Sequence, residues 1–303
     1  MAKRRSLIKN WAEYFFFQIM LFCIRITPFS WGCQVGRGIG LLAYGLLSPR
    51  RQLTVENIRE ARQRGFLPGI REEILARNVW ENVGVTGAEF LYFYARDAAA
   101  LKQKVELVGE EHLRRAIAQE KGTIMVTPHI GNWELLGLYL CSIGYPLNPV
   151  VKKQSNPFFD RAIQERRRSA GMNVIFNKGF LRPIVKTLKN NGIVPFLIDQ
   201  AQIGSNGVPV TAFGRTAYLP PGAVEFGLKT GAPMVFACLV RQKGNPRFKA
   251  IISEVEMTKS GDYQQDLAVN TAKLMAMIQE IIAKYPEQWL WMHKFWPKKV
   301  KIK

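Results

Sequence analysis

Residues 122–142 read GTIMVTPHIGNWELLGLYLCS, and this stretch decides the fold of the chain. Its first part, Gly122 to Pro128, is a short apolar run rich in Thr, Ile, Met and Val, which predicts a buried strand. Asn132 is a favoured helix N-cap residue, and the apolar run after it predicts a helix. Ligands bind beyond the carboxyl ends of strands in open α/β sheets, so the junction between this strand and helix predicts a site.

Two residues at the junction, His129 and Glu134, have side chains suited to acid–base chemistry. Five residues of helix turn through about 500°, so these side chains can meet only if His129 lies in the loop and Glu134 on the helix. The turn residues Gly131 and Asn132 allow that arrangement. An imidazole beside a carboxylate can act as a general base toward a hydroxyl group. The alternative is a structural histidine, which is the commoner role of a lone histidine.

Strand-like and helix-like segments follow one another through the rest of the chain. Together they predict an α/β fold with a single mixed sheet flanked by helices, in which the last strand is an antiparallel edge strand. The predicted strands are 105–108, 122–128, 148–151, 192–198, 231–240 and 247–255. The predicted helices are 50–64, 71–95, 110–120, 133–142, 156–171 and 271–285.

Polar residues stand at the ends of several predicted strands. Lys152 or Lys153, Asp199 and Arg241 each follow an apolar segment, and Arg166 lies on the helix after one of them. Because the carboxyl ends of parallel strands meet at one edge of a sheet, we expect these side chains to surround the histidine. A ring of cations suits a phosphorylated substrate, since guanidinium groups bind phosphate oxygens in pairs.

The composition indicates an acidic partner. The chain has 43 Lys and Arg against 23 Asp and Glu, a formal net charge of +20. Anionic lipid, nucleic acid and an acidic carrier protein are all compatible with this charge. No zinc-finger spacing, RNA-binding signature or basic zipper is present, so nucleic acid is the weakest of the three. The four cysteines are scattered in apolar surroundings, which predicts reduced core residues in a reducing compartment, with no disulfide and no metal site.

The N-terminal 47 residues form a basic and apolar arm, and we expect an α/β domain at 48–303. The apolar run Tyr14–Ile24 is too short to cross a bilayer, which needs roughly 20 residues. An uncleaved interfacial anchor fits better, with aromatic side chains inserted and basic residues at anionic head groups. A buried helical hairpin is the alternative, and the glycines of Gly36–Gly40 are expected to pack two helices together. The basic residues next to this run are Lys3, Arg4, Arg5 and Lys9.

Several phrases of the sequence resemble one family. HIGNWE at 129–134 resembles the H-x4-D/E signature of the glycerolipid acyltransferase superfamily, and its wording is similar to that of the lipid A biosynthesis acyltransferase branch. The resemblance covers roughly residues 10–296. Other matching phrases are LIDQ at 197–200, GVPVTAFGR at 207–215, PPGA at 220–223 and PEQWLWMH at 286–293.

The resemblance implies an acyltransferase that moves an acyl chain from acyl carrier protein or coenzyme A to a hydroxyl of a lipid A precursor. His129 would be the general base and Glu134 would orient it, with no acyl-enzyme and no cofactor; no G-x-S-x-G elbow is present. The enzyme would sit on the inner membrane and face the cytoplasm. Asp199 would be a site residue, although a cap at the strand end is an equal alternative. The residues expected to contact substrate are Asn132, Lys152, Asn156, Arg166, Arg168, Asp199 and Arg241.

Two other functions fit parts of the sequence. The nearer is an acyltransferase with another acceptor, such as a different glycolipid, a lysophospholipid or a lipoamino acid. The more distant is a non-catalytic protein that binds anionic membranes, which would explain the arm and the charge but not the pairing of His129 with Glu134.

Overall fold

A mixed five-stranded sheet lies at the centre of the molecule, in the strand order β1-β9-β8-β2-β5. The computed structural model describes residues 7–96, 99–200, 207–242 and 248–296 of the 303-residue chain. The strands are β1 (Val105–Val108), β2 (Thr123–Thr127), β3 (Val150–Val151), β4 (Ile175–Phe176), β5 (Ile193–Leu197), β6 (Val208–Ala212), β7 (Arg215–Leu219), β8 (Met234–Arg241) and β9 (Phe248–Val255). The helices are α1 (Leu7–Ile26), α2 (Phe29–Leu46), α3 (Ser48–Gln63), α4 (Glu72–Tyr94), α5 (Ala99–Lys102), α6 (Glu110–Ile117), α7 (Trp133–Ser142), α8 (Pro157–Ser169), α9 (Leu181–Lys189), α10 (Gly222–Thr230) and α11 (Tyr263–Lys284).

Strand β2 lies next to the centre of the sheet and is parallel to both of its neighbours, β5 and β8. All five of its residues are buried, because helices cover both faces of the sheet. Ile124 and Val126 join the apolar core that includes α10 and α11, while Met125 joins the core on the α7 side. The prediction of an α/β fold with one mixed sheet flanked by helices is therefore confirmed.

Strand β9 corrects one expectation, since it is not an edge strand. It pairs antiparallel with β8 and parallel with β1, and β1 forms the edge. The alternating burial along β9 reflects incomplete cover on one of its faces. Such alternation reports how a face is covered and carries no information about whether the backbone is paired on both sides.

Two small sheets lie outside the main one and were not predicted as such. The segment predicted as a strand at 148–151 contributes only β3, which pairs with β4. Just before β3, Leu147 forms a parallel bridge with Ile193 at the start of β5. The hairpin of β6 and β7 contacts α11 and was missed, as was helix α9.

Helices α2 and α4 are packed backbone against backbone. A Cβ atom placed on Gly84 would lie 2.0 Å from the carbonyl oxygen of Gly36, and one placed on Gly40 would lie 2.1 Å from that of Trp80. Small residues allow this approach, so the expectation that Gly36–Gly40 packs two helices is confirmed.

Helix α1 differs from the expected arm. It has 20 residues, because the chain before Tyr14 is also helical, and by length and composition it is the one described helix that could cross a membrane. The length argument made from the eleven-residue apolar run is therefore wrong. Only Asn10 and Phe17 are buried in α1, so the buried-hairpin alternative is wrong as well. Lys3, Arg4 and Arg5 lie outside the described residues, and the domain division after residue 47 stays a prediction.

The four cysteines are free. Cys238 is buried in β8, where burial raises the pKa of its thiol to about 12. Cys23 departs from the expectation of a core residue, because it is exposed on α1.

Candidate active site

His129 lies in the short loop between β2 and α7, at the carboxyl end of the sheet. Its backbone N–H donates a hydrogen bond to Oδ2 of Asp199, with 2.7 Å between the atoms. The turn that follows depends on Gly131, which has φ +58° and would place a Cβ atom 2.0 Å from the carbonyl oxygen of Leu239. Only glycine fits this position, because it combines a left-handed backbone with contact to a neighbouring strand.

The imidazole of His129 is paired with the carboxylate of Asp199, which follows β5. Nδ1 lies 2.6 Å from Oδ1, and the indole N–H of Trp289 donates to Oδ2 at 2.7 Å. Asp199 is 3% exposed. Its burial alone would raise the pKa of the carboxyl group, but the charge of His129 and the hydrogen bonds from His129 and Trp289 lower it below the ordinary value. The ionised carboxylate therefore accepts a hydrogen bond from Nδ1–H, and Nε2 is the ring nitrogen that faces away from Asp199.

Three side chains surround the rest of the imidazole. The amide nitrogen of Gln200 lies 3.3 Å from Nε2, and the ring of Trp133 packs edge-on with 4.9 Å between ring centroids. The ring of His293 lies 6.2 Å away. Burial lowers the pKa of His293, and the nearby His129 lowers it further, so His293 is neutral at pH 7.

Glu134 does not contact the imidazole, which corrects the pairing expected from the sequence. Its carboxylate oxygens lie 3.0 and 3.2 Å from Nη2 of Arg167 on α8. Of the three consecutive arginines at 166–168, the central one therefore reaches the site. Both members of the pair are partly buried, with 33% of the Glu134 side chain and 15% of the Arg167 side chain exposed.

An apolar cavity of about 560 Å³ begins beside this cluster. Trp133, Glu134 and Arg167 line it, together with Thr127 and Leu197 at the carboxyl ends of β2 and β5. Deeper wall positions are almost entirely apolar and include Met125, Leu136, Gly137, Leu147, Met172 and Pro195. Trp133 contacts His129 and lines the cavity, so the histidine–carboxylate pair lies next to an apolar space, an arrangement suited to chemistry at the polar end of a hydrocarbon chain.

A sequence model of bacterial lipid A biosynthesis acyltransferases matches residues 1–298. The chain belongs to this family. A lipid A biosynthesis palmitoleoyltransferase of Escherichia coli (strain K12) is 24% identical over 291 residues, which cover 94% of this chain and 91% of that protein. A lipid A biosynthesis lauroyltransferase of the same organism is 23% identical over 280 residues, covering 91% and 88%.

A second kind of relative is also similar. A phosphatidylinositol mannoside acyltransferase of Mycolicibacterium smegmatis (strain ATCC 700084 / mc(2)155) is 26% identical over 206 residues. This match covers 67% of the chain and 66% of that protein, just under two thirds of its length. The protein is thus an acyltransferase, an enzyme that transfers acyl groups from a donor to a lipid acceptor.

Asn132 and Arg241, both expected to contact substrate, belong instead to a buried network with Glu89 of α4. The Asn132 side chain accepts a hydrogen bond from Leu135 as the N-cap of α7 and donates to Glu89 at 3.0 Å. Arg241 donates to the same carboxylate at 2.7 Å. Burial raises the pKa of Glu89, and the charge of Arg241 and the hydrogen bonds partly offset this effect. In this acyltransferase the network fixes the start of α7 beside His129.

The remaining predicted contacts lie outside the cavity. Arg166 donates to the backbone carbonyls of Phe93 and Arg96, at the end of α4. Arg168 bonds to a carbonyl within its own helix, and Lys152 is an exposed residue after β3. Asn156 caps α8 through its side-chain oxygen and donates to the carbonyl of Asn10 and to Glu13 on α1. These four residues, Lys152, Asn156, Arg166 and Arg168, are therefore not brought to His129.

The side chains of Trp289, Gln200 and Trp133 contact Asp199 or His129 and were not predicted to do so. They lie in the phrases PEQWLWMH, LIDQ and HIGNWE, which carry the resemblance. For the three arginines at 166–168 the sequence left the register open by one residue, and the structure places Arg167 at the cavity. In the described parts of the chain no group of three or more His, Cys, Asp and Glu side chains could hold a metal ion.

Proposed function

We propose that this acyltransferase moves a fatty acyl chain from an acyl thioester to a hydroxyl group of a lipid A precursor. The observation that carries the proposal is the His129–Asp199 pair, with 2.6 Å between Nδ1 and Oδ1, packed against Trp133, which lines the apolar cavity. A base is needed at the acceptor hydroxyl, and an apolar space is needed for the acyl chain. Both lie within one site.

His129 is the general base. Nε2 removes the proton of the acceptor hydroxyl while its oxygen attacks the thioester carbonyl carbon. The C–O bond forms, the C–S bond breaks, and the thiolate takes the proton back from the imidazolium. Asp199 keeps the imidazole in the required tautomer and stabilises its cation, the role that the sequence had suggested for Glu134.

The oxyanion of the tetrahedral intermediate needs hydrogen-bond donors. The backbone N–H groups of Gly131 and Asn132 are engaged, by the carbonyl oxygens of Gln288 and Leu239. Trp133 and Glu134 occupy the first turn of α7, and within the described residues their N–H groups have no partner. The first turn of a helix also carries a partial positive charge. These two N–H groups are the proposed oxyanion donors.

The Glu134–Arg167 pair binds the polar part of a substrate at the cavity mouth. Glu134 fixes the guanidinium group through both carboxylate oxygens and leaves other N–H groups of Arg167 free to bind a phosphate. Phosphate is present in a lipid A precursor and in the phosphopantetheine arm of either donor. This assignment replaces the phosphate contacts expected from Arg166, Arg168 and Lys152.

Acyl carrier protein is the proposed donor, with coenzyme A as the alternative. Carrier proteins are acidic, and the formal net charge of +20 favours their approach. The same charge is the basis for expecting an anionic membrane surface, and no nucleic acid or cofactor is part of the proposal.

The arm is proposed to hold the enzyme on the inner membrane with the active site toward the cytoplasm. Large apolar side chains of α1 and α2 are exposed, among them Phe15 (66%), Phe22 (64%) and Trp31 (71%). Both ends of α1 are tied to the body, by Asn156 at its start and by Arg96, which donates to the carbonyls of Ile24 and Arg25. A helix tied at both ends favours an interfacial position over a crossing one.

A second acceptor class has support from the comparisons. The mycobacterial relative is named for phosphatidylinositol mannoside, another phosphorylated glycolipid. Such an acceptor would use the same base and the same cavity. A non-catalytic membrane-binding function has less support, because it gives no role to the buried His129–Asp199 pair.

The test is a transfer assay with purified protein, lauroyl- and myristoyl-acyl carrier protein, and a tetra-acylated lipid A precursor, followed by mass spectrometry. A penta-acylated product is expected, and His129→Ala should lower its rate by about 10²- to 10⁴-fold while the variant stays folded and vesicle-bound. Product formation with phosphatidylinositol mannoside alone would favour the second acceptor class. Full activity of His129→Ala would reject the assignment of the base.

A further inference from the structure

The residues that line the apolar cavity reach both ends of strand β5, as the register of the sheet shows. Thr127 and Leu197 are paired at the carboxyl ends of β2 and β5, and both line the cavity. Leu147 also lines the cavity, but it bridges to Ile193 at the amino end of β5. Leu197 lies four positions after Ile193, so the cavity extends about 13 Å along the strands, at roughly 3.3 Å per residue.

Helix α7 runs along the length of the cavity, from the carboxyl ends of the strands toward their amino ends. Trp133 and Glu134 stand at the mouth, and Gly137 is one turn deeper on the same wall. A Cβ atom placed on Gly137 would lie 2.9 Å from Cε of Met172 and 3.8 Å from Cδ1 of Leu147. Both of these side chains line the cavity. The missing side chain of Gly137 thus leaves room for the Met172 methyl group at the inner end.

We infer that Gly137 and Met172 form the end wall that limits the length of the acyl chain the enzyme accepts. The inference rests on the proposed function and extends it from a reaction to a choice of donor. The chain lies with its thioester beside His129 and its terminal methyl group against Gly137, Met172 and Leu147. The wall acts only by excluding methylene groups from the inner end of the cavity, and the reacting atoms beside His129 stay the same.

Gly137→Ala is the variant that tests the proposed end wall most directly. The atom it would meet first is the flexible end of a methionine side chain, which can move aside, and alanine is a stronger helix former than glycine. The fold should therefore tolerate the change. The new methyl group and the displaced Met172 end both narrow the cavity from its inner end, which excludes the longest chains first.

The matched control is Gly87→Ala on α4. Gly87 is exposed, and a Cβ atom there meets no atom within 4 Å. The chemical change is identical and the helix propensity gain is similar, but the cavity is untouched. Met172→Ala is the reciprocal variant, since it enlarges the inner end and should admit longer chains.

The experiment measures kcat/KM for acyl donors of 10 to 18 carbons with the full chain. For Gly137→Ala the optimum should move to a chain at least two carbons shorter. The ratio of rates for the wild-type optimum and that shorter chain should fall by about fifteenfold, or about fourfold per excluded methylene group. An unchanged optimum with turnover retained, or the same shift in Gly87→Ala, would overturn the inference while leaving the proposed reaction intact.

A binding experiment distinguishes failure of the proposed end wall from failure of the proposed function. Saturated fatty acids of 10 to 18 carbons compete with a fluorescent fatty acid, and the same shift in preferred length is expected between wild type and Gly137→Ala. If the wild-type protein transfers no acyl group, the proposed function fails, and the binding series still tests the wall. If wild type and Gly137→Ala prefer fatty acids of the same chain length in that series, the proposed end wall is excluded.

Discussion

The Nδ1 atom of His129 lies 2.6 Å from Oδ1 of Asp199, although 70 residues separate the two in the chain. They meet because β2 and β5 are adjacent parallel strands and each residue follows the carboxyl end of its strand. The Trp289 indole, from near the end of the described chain, holds the second carboxylate oxygen. The position of the His129 imidazole therefore depends on three segments that only the folded chain brings together.

Asp199→Asn should lower kcat by about 10²- to 10⁴-fold. The pKa of Asp199 is lowered, so its carboxylate is ionised at neutral pH. The negative charge that it places beside His129 is lost only as the pH falls through this lowered pKa. In the variant the neutral amide can no longer stabilise the imidazolium that forms when His129 takes up the proton, so the loss should appear in kcat. The measurement is kcat at saturating substrate for both proteins, and an unchanged kcat would contradict the pairing.

Glu134→Gln should leave kcat close to the wild-type value, since Glu134 contacts Arg167 and not His129. We expect a higher KM for the phosphorylated substrate, because the guanidinium group loses the carboxylate that fixes it. A double-mutant cycle with Arg167→Gln should give a coupling free energy of about 0.5–3 kcal/mol. Strict additivity of the two changes, or a loss of kcat as large as in Asp199→Asn, would return Glu134 to the role expected from the sequence.

Gly84→Ala should destabilise the fold by about 1–3 kcal/mol, because its methyl group would overlap the carbonyl oxygen of Gly36. Gly45→Ala on α2 is the control, since a Cβ atom there meets nothing within 4 Å. That change should be neutral or slightly stabilising. Thermal and denaturant unfolding of the two variants measure the difference, and equal stabilities would show that the helices do not pack as described.

Phe15→Asp combined with Phe22→Asp should weaken binding to anionic vesicles by more than tenfold. Each phenylalanine is exposed and would lose roughly 2 kcal/mol of apolar burial in the lipid interface. Val269→Asp, at an exposed apolar position on α11, is the matched control and should bind as wild type does. Vesicle sedimentation gives the binding constants. If the double variant binds as tightly as wild type, the arm is not the membrane-binding element.

The sequence predicted the principal strands with good accuracy, because they rest on local patterns of consecutive residues. The run at 122–128 and the helix after Asn132 lie where they were expected, with differences of one or two residues at the ends. Errors arose where one local pattern is compatible with two different structures. Alternation in β9 was taken for an edge strand, and the apolar run in α1 was read as shorter than the helix that contains it.

By itself the sequence determined the family, the α/β class and the position of His129 at a strand–helix junction, since motif wording and hydrophobic periodicity are properties of consecutive residues. Only the tertiary structure decided which carboxylate serves the histidine and which arginine enters the cavity. Glu134 is nearer to His129 in sequence, but its place in the first turn of α7 directs its side chain toward Arg167. The register of two parallel strands instead brings Asp199 to the imidazole. Contact between side chains depends on the direction in which each backbone presents them, and that direction is set by packing between distant segments.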